Sequence, residues 1–155
     1  MLRLSKLTDY AVVVMMRLAD SDRCTAEGVQ TSPCIAAATG VPEPTVAKVL
    51  KALATSGLVT SQRGARGGYR LTRPVETVTI ADVIAAIDGP IALTACVDGH
   101  QGSCDVESLC AVKGRWDLVN DAIHAALTSI TLAEMREASI PPAFRVHTAH
   151  ATSAA

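Results

Sequence analysis

The segment SGLVTSQRGARGGYRLTRP, residues 56–74, constrains the fold of this chain more than any other. It contains a short strand-like run (LVTSQ), a turn (RGARGG) and a return run (YRLTR), which Pro74 ends. The glycines of the turn permit positive φ and let the backbone come close to a group such as a phosphate. The arginines lie at the tip and on the return run: Arg63, Arg66, Arg70 and Arg73. The segment therefore predicts a β-hairpin with a cationic surface.

Two helices are predicted directly before this hairpin. Pro33 fits the first turn of a short helix, CIAAAT, which Gly40 ends. A second helix runs from about Glu43 to Ser56, and Gly57 caps it. The apolar positions of the second helix recur at helical spacing, and they are Val46, Val49, Leu50 and Leu53. Its other face carries Thr45, Lys48 and Lys51.

Two helices joined by a short turn form a helix-turn-helix pattern, and an Arg- and Gly-rich hairpin directly after them predicts a winged helix. The charge distribution agrees: residues 1–78 carry 10 Lys and Arg against 6 Asp and Glu, whereas residues 79–155 carry 4 against 9. A basic half suits a polyanionic partner. We therefore expect double-stranded DNA to contact Thr45, Lys48, Lys51, Arg63, Arg66 and Arg70. The alternative is a solvated hairpin beside a small helical bundle.

Further helices make this a mostly α fold with a small β-hairpin wing. One helix is predicted from Ser5 to Asp20, and another from Thr79 to Ile87, with a capping-box start and an end at Gly89-Pro90. A last short helix starts with a capping box at Thr131. A long amphipathic helix, Arg115 to Thr128, is predicted directly before this last one. Its apolar stripe is Trp116, Val119, Ile123 and Leu127.

The stripe of the long helix has two possible partners, the first helix of the same chain or a second copy of itself. We favour a dimerisation helix in a homodimer, because winged-helix proteins read palindromic DNA as symmetric pairs. Three regions follow: a winged helix-turn-helix DNA-binding region (1–78), a region with the cysteine loop and the dimerisation helices (79–138), and a tail predicted to be disordered (139–155).

Three cysteines, Cys96, Cys104 and Cys110, lie in the polar segment CVDGHQGSCDVESLC between two predicted helices. Buried cysteines normally have apolar neighbours, so three thiols in this setting indicate metal ligation or redox chemistry. Thiolates suit iron–sulfur clusters, zinc or Cu(I). Structural zinc usually takes four ligands, in pairs roughly two to four residues apart, and the gaps here are longer. Three loop thiolates plus one outside ligand favour an iron–sulfur cluster, with zinc and free thiols as alternatives.

The expected compartment follows from the N-terminus and the hydropathy. The N-terminus has no apolar signal core, and the longest apolar run, Ala11 to Met16, is too short to span a membrane. We expect a cytoplasmic chain with no membrane partner, whose five cysteines stay reduced unless a metal holds them. Within it, Cys34 is expected to be a buried small residue and Cys24 a loop thiol.

The residues leave three classes of function to compare. A DNA-binding regulator that senses through a cofactor fits the wing and the cysteines, and a zinc- or thiol-based redox-sensing regulator is its close alternative. A cysteine-dependent oxidoreductase lacks a CxxC motif and a βαβ pattern, so we expect no enzyme. A winged-helix protein-interaction module without DNA is disfavoured by the wing arginines.

Four segments together resemble one known family. They are LRLSKLTDYA at the start, SGLVTSQRGARGGYRLTRP in the wing, TIADVIAAIDG, and the three-cysteine loop followed by RWDLVNDAI. They are similar to the winged-helix iron–sulfur regulators that include IscR, NsrR and RirA, over roughly residues 1–137. The opening residues resemble the branch that regulates the SUF iron–sulfur assembly operon. The resemblance implies a homodimeric transcription factor, a repressor of iron–sulfur assembly or iron homeostasis genes, whose cluster state controls its affinity for promoter DNA.

The resemblance carries over to the site only in part. Where IscR-like members have a histidine after the third cysteine, this chain has Lys113, so that ligand set is not carried over. Asp9 matches the position of an aspartate that completes the site from the partner subunit in NsrR-like members, and His100 inside the loop is an alternative fourth ligand. Replacement of the histidine favours a [4Fe-4S] over a [2Fe-2S] cluster. Arg63 matches a position that reaches the minor groove. Pro44 and Ala47 replace the hydroxyl and the carboxylate that IscR presents to DNA, so its base readout is not carried over.

Overall fold

The computed structural model describes residues 3–20, 28–64, 67–95, 97 and 109–137. In this part of the chain, helices α1 (Lys6–Ala19), α2 (Ser32–Thr39) and α3 (Glu43–Thr55) precede a hairpin of strands β1 (Val59–Gln62) and β2 (Gly68–Leu71). A 3₁₀ turn over Val75–Thr77 leads into α4 (Ile80–Asp88), and α5 (Trp116–Thr128) and α6 (Leu132–Glu137) follow. The predicted mostly α fold with a β-hairpin wing is confirmed. The tail predicted to be disordered lies outside the described residues.

Local capping fixes where several helices begin. The Ser5 side chain accepts a hydrogen bond from the Thr8 amide (3.1 Å) at the start of α1. Thr79 and Asp82 form the predicted capping box at the start of α4, and Thr131 and Glu134 form the same pair before α6. Each cap satisfies backbone N–H groups that a helix start leaves without partners.

One aliphatic core holds the helices together. The central helix α1 packs against α3 and α4, while α2 fills the space between α1 and α3. The core draws residues from both sides of position 78; among those almost completely buried are Val14, Met15, Ile35, Val46, Leu50, Leu53, Val78, Val83 and Leu132. Complete burial of a side chain of this size contributes about 1.5–3 kcal/mol. The core therefore fixes α3 and the wing on one scaffold with α4.

The two strands of the wing pair antiparallel, with Val59 opposite Leu71 and Gln62 opposite Gly68. Tyr69 and Leu71 pack against the core, and Arg70 between them is exposed. This alternation follows from the two-residue period of a strand. Among the described helices, none is both long enough and apolar enough to span a bilayer.

Candidate nucleic-acid interface and cysteine segment

The outward face of α3 presents a row of exposed side chains. The rotation of the helix is fixed, because Val46, Val49, Leu50 and Leu53 are all buried. Lys48 and Lys51, two of the predicted DNA contacts, are exposed, and so are the smaller residues Pro44 and Ala47. Thr45 is only half-buried and sits at the edge of this face. The short connection from α2 to α3 turns at Gly40, whose φ is 73°.

Three DNA contacts were predicted in the wing, and two of them belong to the described residues. Arg63 is exposed directly after β1, and Arg70 is exposed on β2, while Arg66 lies outside the described residues. Two glycines in the return half of the hairpin are sterically required. A Cβ on Gly67 would lie 2.4 Å from the Gln62 carbonyl oxygen, and a Cβ on Gly68 would lie 2.6 Å from the carbonyl oxygen of Gln30. Close backbone packing, rather than a phosphate, explains these two glycines.

Gln30 joins the wing to α1, a link that the sequence did not reveal. Its backbone exchanges two hydrogen bonds with Tyr69 of β2, at 2.9 and 2.8 Å. Its buried side-chain amide donates to the Arg17 carbonyl oxygen (2.9 Å) at the C-terminal end of α1. Gln30 and its neighbour Val29 are almost completely buried, although they lie between two helices rather than in one. A bridge of one residue has no sequence periodicity by which it could be recognised.

Arg73 was predicted to lie on the return strand, and this is wrong. Strand β2 ends at Leu71, because Pro74 and the 3₁₀ turn redirect the chain. The guanidinium of Arg73 instead donates to the Asp82 carboxylate at 2.7 Å. The end of the wing is thereby connected to the N-terminus of α4, and this arginine has an intramolecular carboxylate partner.

Of the predicted cluster ligands, only Cys110 and Asp9 belong to the described residues. Cys110 is a free, half-buried thiol shortly before α5, and its carbonyl oxygen accepts a hydrogen bond from the Lys113 amide at 3.3 Å. Asp9 is exposed in the first turn of α1. Cys96, Cys104 and His100 lie outside the described residues. Among the residues that are described, no three His, Cys, Asp or Glu side chains form a metal-binding group.

Cys34 differs from both expectations made for it. It lies in the first turn of α2, half-buried rather than in the core, because the inward position of that turn belongs to Ile35. Cys34 is also disulfide-bonded in this structure, contrary to the expectation that the cysteines stay reduced. Cys24, which was expected to be a loop thiol, lies outside the described residues.

The apolar stripe of α5 is divided between two environments. Ile123 and Leu127 are half-buried, and Leu127 packs against the core. Trp116 and Val119 remain 41% and 44% exposed, and Leu118 beside them is 77% exposed. Only Asn120 of this helix is buried, where its side-chain oxygen accepts a hydrogen bond from the Leu93 amide at 3.1 Å. Among the described residues, an apolar face of α5 therefore stays exposed.

Comparison with known proteins shows which family combines such a wing and core with a cysteine segment. The Rrf2 family, described as "Iron-dependent Transcriptional regulator", matches residues 4–138. The chain belongs to the Rrf2 family. The IscR regulator of Photorhabdus laumondii is 31% identical over 134 residues, which cover 86% of this chain and 79% of that protein.

Two solved Rrf2-type structures share the fold. The structure of CymR, the global cysteine regulator of B. subtilis, has a TM-score of 0.66 and 27% identity, covering 90% of this chain and all of CymR. The structure of T. potens IscR has a TM-score of 0.61 and 30% identity, covering 87% of this chain and 86% of that one. The chain is thus a DNA-binding transcriptional regulator of the helix-turn-helix type, and the oxidoreductase alternative does not hold.

Proposed function

We propose that this Rrf2 regulator controls its affinity for promoter DNA through an iron–sulfur cluster held by Cys96, Cys104 and Cys110. The observation that carries the proposal is the free, half-buried thiol of Cys110 in a segment whose sequence contains two more cysteines. Thiolates are the usual protein ligands of such clusters, and they match this donor set. The family description and the similarity to IscR proteins support an iron-dependent signal. We favour a [4Fe-4S] cluster over a [2Fe-2S] cluster.

On the DNA side, we propose that the exposed face of α3 enters the major groove and that the wing contacts the adjacent backbone or minor groove. Lys48, Lys51, Arg63 and Arg70 are all exposed in the described part of the chain, as this role requires. The full proposed set is Thr45, Lys48, Lys51, Arg63, Arg66 and Arg70. Lysine and arginine contacts to phosphate supply most of the affinity, and groove contacts supply the specificity.

The active species in this proposal is a cytoplasmic homodimer on a palindromic operator. Its interface uses the uncovered face of α5, where Leu118 and Val119 are exposed and Ala122 and Ala126 continue the same side of the helix. Exposed apolar faces of this kind mark association sites on soluble proteins. We propose that the dimer represses genes of iron–sulfur assembly or iron homeostasis.

The fourth ligand is proposed to be Asp9 from the partner subunit, with His100 as the alternative within the loop. Asp9 is exposed, so its carboxylate is open to a second chain. When bound, a cluster supplies an oxidisable, iron-dependent link between the side chains that hold it. The role of Asp9 would be to bring the DNA-binding half of one subunit to the cysteine segment of the other.

Anaerobic purification of the full chain tests the proposal directly. We expect a brown protein containing iron and acid-labile sulfide, with about four of each per chain for a [4Fe-4S] cluster. Ala at Cys96, Cys104 or Cys110 should remove the colour, the iron and the sulfide, whereas the control Cys34→Ser should retain all three. A colourless protein with stoichiometric zinc would contradict the proposal. A colourless protein whose DNA affinity follows thiol oxidation would favour the thiol-based alternative.

A further inference from the structure

The exposed face of α3 has an unusual chemical content for a helix that reads DNA. Lys48 and Lys51 belong to its middle turns, and Pro44 and Ala47 are exposed in its first half beside Glu43 at the helix start. Residues three and four apart share one helix face, so Pro44, Ala47 and Lys48 are neighbours there. In helix-turn-helix proteins the N-terminal part of the recognition helix contacts the base edges.

Small apolar side chains at these positions restrict what the helix can read. Neither Pro44 nor Ala47 has a side-chain hydrogen-bond donor or acceptor. The one apolar group that a base presents in the major groove is the C5-methyl of thymine, and alanine is one of the side chains that contact it. The lack of bulk has a second effect, because a short side chain lets the helix backbone come closer to the floor of the groove.

The charged groups around Ala47 are mostly cationic, with Glu43 as the one carboxylate of the first turn of α3, and this balance favours DNA as the occupant of this face. Lys48 and Lys51 are exposed on the same helix, and Arg63 is exposed at the entry to the turn of the wing. The core face of α3 is completely buried, so the helix cannot rotate to present other residues. Cationic side chains that contact phosphates would hold the small side chains of the first half against the base edges.

We propose that Ala47 is a specificity-determining residue, and that its methyl group reads the C5-methyl of a thymine in each half-site of the operator. The inference rests on the DNA-binding role of the family and is independent of the iron–sulfur proposal. Loss of one methyl contact of this kind should weaken binding about three- to fourfold, from the typical transfer free energy of one buried methylene-sized group.

The test begins with selection of DNA duplexes from a randomised pool by the full-length protein. Each thymine of the selected site is then replaced by deoxyuridine, which lacks only the methyl group, and affinity is measured by fluorescence anisotropy. For the wild type, we expect one symmetric pair of positions at which uracil weakens binding about three- to fourfold per half-site. In Ala47→Gly, which lacks the methyl on the protein side, thymine and uracil duplexes should bind equally at these positions.

The comparison forms a double-mutant cycle, so a general weakening of the helix by glycine cancels between the two duplexes. The matched control is Ala54→Gly in the last turn of α3, which should keep the thymine preference of the wild type. Lys51→Ala should lower affinity for both duplexes alike and reduce the salt slope by about one unit, as expected for a phosphate contact.

Two results would overturn the assignment of Ala47. In one, uracil is tolerated at every position of the selected site by the wild type. In the other, the thymine preference persists unchanged in Ala47→Gly. A protein that enriches no sequence at all would instead contradict the DNA-binding role itself, and this outcome is distinguishable from the other two.

Discussion

At the scale of single residues, Asp82 shows how one carboxylate connects two elements. It accepts hydrogen bonds from the Thr79 amide (2.9 Å) and from the Arg73 guanidinium (2.7 Å). Burial raises the pKa of Asp82, but the hydrogen bonds from Thr79 and the charge of Arg73 outweigh it, so the pKa lies below its ordinary value. Both side chains of the ion pair are more than a third exposed, so solvent screens the attraction between them.

The lowered pKa of Asp82 predicts a pH dependence with a defined sign. A carboxyl with a lowered pKa in the folded state stabilises the protein above its unfolded pKa, and this contribution is lost as the pH falls through the folded pKa. In Arg73→Met one cause of the lowering disappears, so the pKa of Asp82 should rise and the loss should begin at higher pH. NMR titration of the Asp82 carboxyl carbon measures the pKa, and urea unfolding at neutral pH should show a cost under ~1 kcal/mol.

A second arginine supplies the control for this titration. Arg136 of α6 forms an ion pair with Asp20, with 3.2 Å between the guanidinium nitrogen and the carboxylate oxygen. Arg136→Met should leave the titration of Asp82 unchanged. If Asp82 titrated at the same pH in wild type and Arg73→Met, the ion pair would have no part in lowering its pKa.

The residue scale also separates what could be predicted from the sequence from what could not. The pairing of Thr79 with Asp82 was predictable, because a capping box depends on a spacing of three residues within one helix start. The pairing of Arg73 with Asp82 was not, since it spans nine residues across a turn whose path no local pattern specifies. The hydrogen bonds of Gln30 could not be predicted for the same reason, because its partners Arg17 and Tyr69 belong to distant segments.

At the scale of elements, helix α5 illustrates the limit of amphipathicity as a signal. Its apolar stripe was predictable from the sequence, and the helix forms within one residue of the predicted bounds. The pattern shows only that a side of the helix avoids water, not which surface covers it. In the structure Leu127 packs against the core, whereas Leu118 and Val119 are 77% and 44% exposed. In the proposed homodimer, this exposed part is the part that a second copy would cover.

A charged substitution on this uncovered face tests the proposed dimer. Leu118 is 77% exposed, so Leu118→Glu should leave the fold intact, as judged by circular dichroism. Loss of a buried leucine contact at an interface costs about 2 kcal/mol, which corresponds to a rise in the dimer dissociation constant of about 30-fold. Sedimentation equilibrium measures that constant.

The control for the dimer experiment lies on the polar side of the same helix. Asp117 is exposed on α5 and lies neither three nor four residues from Leu118, Val119, Ala122 or Ala126, so Asp117→Asn should leave the dissociation constant unchanged. A wild-type protein that sediments as a monomer, or a Leu118→Glu protein that dimerises as well as wild type, would contradict the assignment of this face.

At the scale of the whole molecule, α1 is the element that packs against both the wing side and the α4 side of the chain. It packs against α3, which carries the proposed DNA-binding face, and against α4, which leads towards the cysteine segment. The hydroxyl of Thr8, almost completely buried, donates to the Asp88 carboxylate at 2.6 Å and so fixes α1 to the end of α4. A displacement of the first turn of α1 would therefore be transmitted to α3, the proposed recognition helix, and to the end of α4 that precedes the cysteine segment.

Asp9 follows Thr8 in that first turn. A cluster bound by Asp9 across the proposed dimer would therefore act on this end of α1. Asp9→Ala should keep the fold and the dimer, because loss of an exposed carboxylate at a helix start costs under ~1 kcal/mol. If Asp9 ligates across the dimer, the variant should show an altered absorption spectrum or faster loss of iron in oxygen. It should also show a smaller difference in DNA affinity between iron-loaded and iron-free protein.

The comparison with His100→Ala decides between a link across the dimer and a local ligand. A cross-subunit ligand on α1 predicts that Asp9→Ala changes both the spectrum and the coupling to DNA, while His100→Ala changes neither. A ligand inside the loop predicts the reverse, because His100 and the cysteines belong to one segment and need no second subunit. If His100→Ala perturbs the spectrum and Asp9→Ala leaves spectrum, iron loss and DNA coupling untouched, the subunits are not joined through α1. Control of DNA binding would then have to pass from the cysteine segment to α3 within one chain, through α4 and the contact between Thr8 and Asp88.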